Sequence, residues 1–175
     1  YVITASKRVS DTSYQVRHQR RMDELGWKYT AFDINGMKEA ALSIALRPFD
    51  LVYVEGGNTY FLLKAIRESG FEKVVRKFLA QGKVYAGASA GSYVACPSIV
   101  MATWSMQNFD RCGVTDFTGM HLVDFLIKAH HMLELEDLEK RLWERERKRS
   151  KFPLYLLSDA QALIIDGKMV NTLGN

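Results

Sequence analysis

The strongest structural signal in this sequence is the stretch Lys83-Val84-Tyr85-Ala86 followed directly by Gly87-Ala88-Ser89-Ala90-Gly91-Ser92. The first four residues are typical of a strand, and the small residues after them allow a sharp turn from a strand into a helix. A serine at the tip of such a turn has its hydroxyl raised clear of the sheet, where a nucleophile meets its substrate. The same residue types occur in ordinary tight turns, but the preceding strand pattern and the following apolar run favour a nucleophilic Ser89.

The composition is that of a soluble globular protein. A chain of 175 residues with 47% hydrophobic and 25% charged residues predicts one domain over residues 1–175 and argues against disorder, repeats or a membrane span. Cys96 and Cys112 lack CxxC spacing, so we expect neither a metal site nor a disulfide, and a reducing cytoplasm is the simpler location. Because the chain begins with Tyr1 rather than Met and shows no secretory signal, we expect an upstream segment such as a first strand.

The net charge of +4 has a local origin. The segment 134–150 begins with acidic residues and ends with a cluster of arginines and lysines, which is the charge order that complements a helix dipole. We therefore predict a solvated helix there rather than a nucleic-acid surface, and we expect neither nucleic acid nor membrane as a partner.

Apolar segments alternate with amphipathic segments along most of the chain. The pattern predicts strands over 1–5, 27–34, 49–54, 84–88 and 122–129, and helices over 13–25, 37–46, 58–68, 71–80 and 134–150. Such alternation predicts an α/β three-layer sandwich with a mostly parallel sheet and helices on both faces. Three short strands near the end, with a turn at Asp166-Gly167, predict a small antiparallel portion.

A serine nucleophile needs a base, which is normally a histidine, and the sequence offers four. We expect His18, in a charged helical pattern, and His121, in a polar loop, to lie at the surface. His130 and His131 instead follow an apolar strand pattern, at the sheet edge where Ser89 is also expected. One of these two is therefore the candidate base.

An oxyanion hole needs backbone amides that converge near the nucleophile. The strand that ends at Val54 runs into Glu55-Gly56-Gly57-Asn58-Thr59, so the amide of Gly57 is placed to face the amide of Ala90. A tight turn in which Asn58 caps the next helix explains the same residues, and the two interpretations are compatible. We predict that Asn58 also binds substrate.

Several motifs, taken in order, resemble the peptidase E and cyanophycinase family of serine peptidases. They are Val54-Glu55-Gly56-Gly57-Asn58-Thr59, Gly87-Ala88-Ser89-Ala90-Gly91-Ser92, Leu122-Val123-Asp124-Phe125 leading to His130, and Leu157-Ser158-Asp159 with Gln161-Ala162. Each motif alone is weak. Their order and spacing over nearly the whole chain make coincidence improbable.

The resemblance implies a glutamine-amidotransferase-like fold with a serine nucleophile, an acyl-enzyme, and no metal or organic cofactor. It implies Ser89 as nucleophile, His130 as base, and Gly57 with Ala90 as oxyanion donors. The third member expected from the family is an acidic residue late in the chain, and Asp159 matches it by position and charge. The other carboxylates considered near the site are Asp110, Asp124 and Glu134.

The expected function is that of a serine exopeptidase or dipeptidase that takes small peptides, with amino-terminal aspartyl peptides among the substrates to test and a homodimer as the assembly to test. An α/β-hydrolase esterase shares the serine elbow, but its chain order is serine, acid, histidine, whereas here the best histidine precedes the best acid. The alternative from another class is a non-catalytic, amidotransferase-like protein that binds a small molecule.

Overall fold

The computed structural model describes residues 1–104, 109–132, 136–146 and 150–174. The helices are α1 (Ser13–Glu24), α2 (Glu39–Leu46), α3 (Thr59–Ser69), α4 (Phe71–Ala80), α5 (Ala90–Ala95) and α6 (Glu136–Glu146), with 3-10 helices over Thr4–Arg8 and Val100–Trp104. The strands are β1 (Leu51–Val54), β2 (Val84–Gly87), β3 (Leu126–Lys128), β4 (Leu154–Leu156), β5 (Ala162–Asp166) and β6 (Met169–Leu173). The chain is thus an α/β protein, as predicted.

The strands of the first half pair in parallel. β1 pairs with β2 from Leu51 opposite Val84 to Val54 opposite Gly87. Val2 adds parallel bridges to Phe32 on one side and to Val54 on the other. Parallel neighbours need crossover connections, and helices supply them here, which confirms the predicted fold class.

Two predicted strands near the N-terminus are almost absent. The predicted strand 1–5 shrinks to the bridges of Val2, because the backbone enters a 3-10 helix at Thr4 and the hydroxyl of Ser6 donates to the carbonyl of Ile3 at 2.5 Å. The predicted strand 27–34 likewise contributes only the bridge at Phe32. Short polar side chains that bond to nearby backbone compete with a strand ladder.

A second parallel pair joins β3 to β4, with Leu126 opposite Leu154 and Lys128 opposite Leu156. The predicted strand 122–129 is shorter than expected, because the backbone before it bonds elsewhere: the amide of Met120 donates to Val94 and that of Leu122 to Ala95. The predicted antiparallel hairpin is confirmed in β5 and β6, with Gly167 at a φ of 56° in the turn.

The buried core draws on β1 and β3, on helices α2 to α5 and on both 3-10 helices. Gly70 adopts a left-handed φ of 73° and ends α3 directly before α4 begins, as the Ser69-Gly70 signal predicted. Both helices bury large side chains, among them Leu62, Ile66 and Phe71. The predicted helix 134–150 corresponds to α6, whose flanks 133–135 and 147–149 lie outside the described residues. Over the described ranges, no helix is long and apolar enough to cross a membrane.

Candidate active site

The turn between β2 and α5 holds Ser89 in a strained backbone conformation. Its φ is 51° and its ψ −109°, a region that residues with a side chain rarely occupy. Glycines make the turn possible: a Cβ on Gly87 would lie 2.7 Å from the carbonyl of Gly91, and one on Gly91 would lie 2.1 Å from the Val54 oxygen. The small residues of the motif therefore bring the start of α5 against β1, with Ser89 at the apex.

His130 links Ser89 to Asp159. Its Nε2 lies 2.9 Å from the hydroxyl oxygen of Ser89, and its Nδ1 lies 2.6 Å from Oδ1 of Asp159. The backbone of His130 is also left-handed, with a φ of 57°. The side chains of His130 and Asp159 are 58% and 79% exposed, so water screens their charges. The structure thus brings the three predicted residues into one chain of hydrogen bonds that is open to solvent.

The pairing of β3 with β4 sets this geometry. Beyond the strand pair, the amide of Leu157 donates to the carbonyl of Lys128, and the amide of His131 donates to the carbonyl of Leu157, both at 2.9 Å. The turn that follows is closed by Gln161, whose side-chain oxygen accepts from the amide of Ser158 at 3.0 Å. These bonds bring Asp159, the residue after Ser158, next to His130, the residue before His131.

The other carboxylates considered from the sequence have different contacts. Asp124 lies 2.8 Å from Nε2 of His121, and that histidine is at the surface as predicted. Asp110 accepts two backbone amides of its own loop, each at 2.7 Å. Glu134 lies outside the described residues. Among the described carboxylates, Asp159 is the one on the ring that meets the serine.

The segment after β1 lies directly against the serine. A Cβ on Gly56 would be 3.0 Å from the Cβ of Ser89, so only glycine fits there without displacement. Gly57, with a φ of 129°, is pressed against the backbone of Ala5, which a Cβ would meet at 2.5 Å. Within the described part of the chain, the amides of Gly57 and Ala90 donate to no acceptor. Both predicted oxyanion donors are thus available to a ligand.

Asn58 uses its side chain within the protein. Its Oδ1 accepts from the amide of Phe61 at 2.9 Å, which confirms the predicted cap of α3. Its Nδ2 donates to the carbonyl of Phe109 at 2.8 Å, and the residue is 5% exposed. These contacts favour a structural role for Asn58, and its binding of substrate stays a prediction.

Next to Gly56, a buried carboxylate that the sequence analysis did not single out, Glu55, forms a hydrogen-bonded cluster with Tyr1, Gln15 and His18. Glu55 is fully buried and accepts from the hydroxyl of Tyr1, from Nε2 of Gln15 at 3.1 Å and from Nδ1 of His18 at 2.9 Å. The predicted surface position of His18 is therefore wrong in part, because the ring is half-buried against Glu55. Burial and the hydrogen bond to Glu55 raise the pKa of Tyr1 well above its usual range. The sequence does carry a signal for this cluster, because Glu55 is a lone acidic residue between an apolar strand and two glycines.

The described residues contain no group of three or more histidine, cysteine or acidic side chains arranged to hold a metal ion. The chemistry that the described side chains offer is that of a hydroxyl, an imidazole and a carboxylate in series, beside two free amides. That set suits nucleophilic attack on a carbonyl and stabilisation of the resulting oxyanion.

Comparison with known proteins places this chain in a family. A family model described as peptidase family S51 matches residues 1–173. An uncharacterized peptidase of Listeria monocytogenes is 28% identical over 98% of this chain and 83% of its own length. A protein named peptidase E from Streptomyces coelicolor is 34% identical over 57% of this chain and 40% of its own length.

Solved structures agree with this. A crystal structure of a candidate peptidase E protein from Listeria monocytogenes EGD-e superposes with a TM-score of 0.85 at 27% identity, covering 99% of this chain and 84% of that one. A peptidase from an acI-B1 Actinobacterium, at 16% identity and a TM-score of 0.67, shares the fold. Because the family model matches residues 1–173 of the 175 in this chain, the chain belongs to peptidase family S51.

Proposed function

We propose that this peptidase is of the serine type and hydrolyses small peptides, as an exopeptidase or dipeptidase, through an acyl-enzyme on Ser89. The observation that carries the proposal is the position of His130, with one ring nitrogen on the Ser89 hydroxyl and the other on Asp159. A serine hydroxyl is a weak nucleophile at neutral pH, and this arrangement is the one that activates it.

The contacts support one catalytic step for each residue. Nε2 of His130 takes the proton from the Ser89 hydroxyl as the oxygen attacks the substrate carbonyl, while Asp159 accepts a hydrogen bond from Nδ1–H and holds the required tautomer. The amides of Gly57 and Ala90 then stabilise the oxyanion. His130 returns the proton to the leaving amine, and water, activated by the same ring, releases the acyl group.

The substrate class rests on the family. Relatives of this chain are named peptidase E, and the resemblance implies dipeptides, with an amino-terminal aspartyl residue as the first to test. A panel of dipeptides that varies the first residue at a constant second residue measures that preference directly. Equal turnover across the panel would contradict an aspartyl preference without touching the serine mechanism.

Reaction with a fluorophosphonate probe tests the mechanism itself. Such probes phosphonylate an activated serine, so we expect one equivalent of label on Ser89 and loss of dipeptide hydrolysis. Ser89→Ala should abolish both while keeping the melting temperature, because the hydroxyl contributes little packing. Ser43→Ala on α2, an exposed serine, is the matched control and should behave as the parent. A folded parent that neither labels nor hydrolyses any peptide would favour the non-catalytic alternative.

A further inference from the structure

Glu55 is a fully buried ionisable side chain beside the candidate site, and the mechanism above does not use it. Its three side-chain partners are the Tyr1 hydroxyl, the Gln15 amide nitrogen and Nδ1 of His18. The two carboxyl oxygens together have enough lone pairs to accept from all three partners at once. A buried polar group whose hydrogen bonds are satisfied holds its surroundings in one arrangement more firmly than an apolar side chain would.

The network reaches the serine through the next residue of the chain. Glu55 is followed by Gly56, whose Cα region lies against Ser89, and then by Gly57, the proposed oxyanion donor. Helix α1 supplies both Gln15 and His18 to Glu55. Nearby, the Tyr14 hydroxyl of the same helix donates to the Gly56 carbonyl at 3.4 Å.

Backbone hydrogen bonds to the N-terminal residues also hold the segment 55–58. The amide of Glu55 donates to Val2 at 3.1 Å, and the amide of Asn58 donates to Ala5 at 3.0 Å. These bonds fix both ends of the two-glycine segment, but they do not fix the intervening peptide planes. Glycine has wide backbone freedom, so the direction of the Gly57 amide depends on the contacts that surround it.

We infer that Glu55 is a positioning residue, which His18 and Gln15 hold in place so that the Gly57 amide points at the developing oxyanion. The inference rests on the proposed serine mechanism and extends it to a helix that contributes no reacting atom. Catalytic groups need supporting contacts of this kind, because small displacements of an oxyanion donor reduce its effect on the transition state.

His18 offers the cleanest test, because it can be replaced without leaving the buried carboxylate wholly unpaired. His18→Ala removes one donor to Glu55 and keeps those of Tyr1 and Gln15. His18→Asn places an amide nitrogen near the position of Nδ1 and restores the donor. Arg20→Ala is the matched control on α1, since the Arg20 side chain is 81% exposed and pairs with Glu24 on the same helix.

The measurement is the second-order rate constant of labelling by a fluorophosphonate, whose phosphoryl oxygen occupies the oxyanion hole, together with the final labelled fraction and the melting temperature. Removing a whole oxyanion donor costs about 10²–10³-fold, so a misdirected donor in His18→Ala should slow labelling by about tenfold or more while the final labelled fraction stays near one. His18→Asn should recover to within about threefold, and Arg20→Ala should match the parent.

Three distinct results would overturn the inference. If His18→Ala lowers the melting temperature but labels at the parental rate, the cluster only stabilises the fold. If the folded parent does not label at all, the serine mechanism fails and the inference fails with it. Slow labelling of His18→Ala without recovery in His18→Asn would likewise exclude the hydrogen bond to Glu55 as the cause.

Discussion

The amide of Leu157 donates a 2.9 Å hydrogen bond to the carbonyl of Lys128, the last residue of β3. This bond holds the chain that follows β4 beside the end of β3, so that the segments after the two strands start next to each other. Two residues beyond each partner stand Asp159 and His130, whose side chains meet at 2.6 Å. The candidate acid and base are thus placed by the register of a parallel strand pair.

Asp159→Asn should lower kcat by about 10²–10³-fold, less than the roughly 10⁴-fold found for a buried triad acid, because water screens an exposed pair. An asparagine no longer favours the tautomer of His130 that accepts the serine proton. Steady-state hydrolysis of the best dipeptide measures the effect, with Asp166→Asn in the exposed hairpin turn as control. A kcat within threefold of the parental value would remove Asp159 from the mechanism.

Gly56→Ala should impair reaction more than folding. The added methyl would lie 3.0 Å from the Cβ and 3.5 Å from the hydroxyl oxygen of Ser89, so the serine must shift. We expect fluorophosphonate labelling to slow by about tenfold or more, in line with the sensitivity of active sites to small displacements, with little change in melting temperature.

Gly82→Ala is the contrasting variant. A Cβ there meets nothing within 4 Å, but the φ of 77° strains any side-chain residue. It should cost on the order of 1 kcal/mol in the free energy of unfolding and leave labelling unchanged. Parental labelling in Gly56→Ala together with slow labelling in Gly82→Ala would contradict the packing of Gly56 on Ser89.

The two cysteines should differ sharply in reactivity. Burial raises the pKa of Cys96 to about 12 from its ordinary 9.0, whereas Cys112 is only partly buried. At pH 8 a thiol with a pKa of about 12 has roughly a thousandfold less thiolate than one with a pKa of 9.0. Titration with a chromogenic disulfide should therefore detect one thiol in the folded protein and two after unfolding. Cys112→Ser should abolish the reaction of the folded protein, and a fast phase that persists in that variant would contradict the burial of Cys96.

Stability should fall in alkali. Burial, with the charge of Glu55 as second cause, raises the pKa of Tyr14 and of Tyr53 to about 12, against 10.0 in an unfolded chain. Above pH 10 the unfolded chain releases these protons first, so the stabilisation is complete below pH 10 and is lost as the pH rises towards 12. Between pH 8 and pH 11 we expect a loss on the order of 1 kcal/mol in urea unfolding. Tyr53→Phe should reduce that loss, and an unchanged slope would exclude Tyr53 as a contributor.

Local patterns were sufficient where the physical constraint is itself local. Gly87 and Gly91 predict the turn at Ser89, because the chain passes so close to itself there that no side chain fits. The Ser69-Gly70 boundary between α3 and α4, and the hairpin turn at Gly167, were predicted for the same reason: a left-handed residue is needed, and glycine provides it.

Strand lengths were predicted less well. The segments 1–5 and 27–34 have strand-like composition, yet each contributes a single bridging residue, Val2 and Phe32. Whether such a segment extends a ladder depends on the neighbours available along its whole length, which are distant in the chain. Side-chain bonds such as that of Ser6 to Ile3 decide where the ladder stops.

The amino-acid sequence was sufficient to predict the α/β class, the elbow that carries Ser89 and the motifs that resemble the peptidase E and cyanophycinase family, because each depends on residues close together in the chain. The residue pattern left His130 and His131 open, and the family resemblance implied His130. The contact of that ring with the serine is seen in the tertiary structure, where the β3–β4 register selects between the adjacent residues. The contact between His18 and Glu55, which are 37 residues apart, also became visible in the tertiary structure alone. Which donors reach a buried carboxylate depends on how distant segments pack.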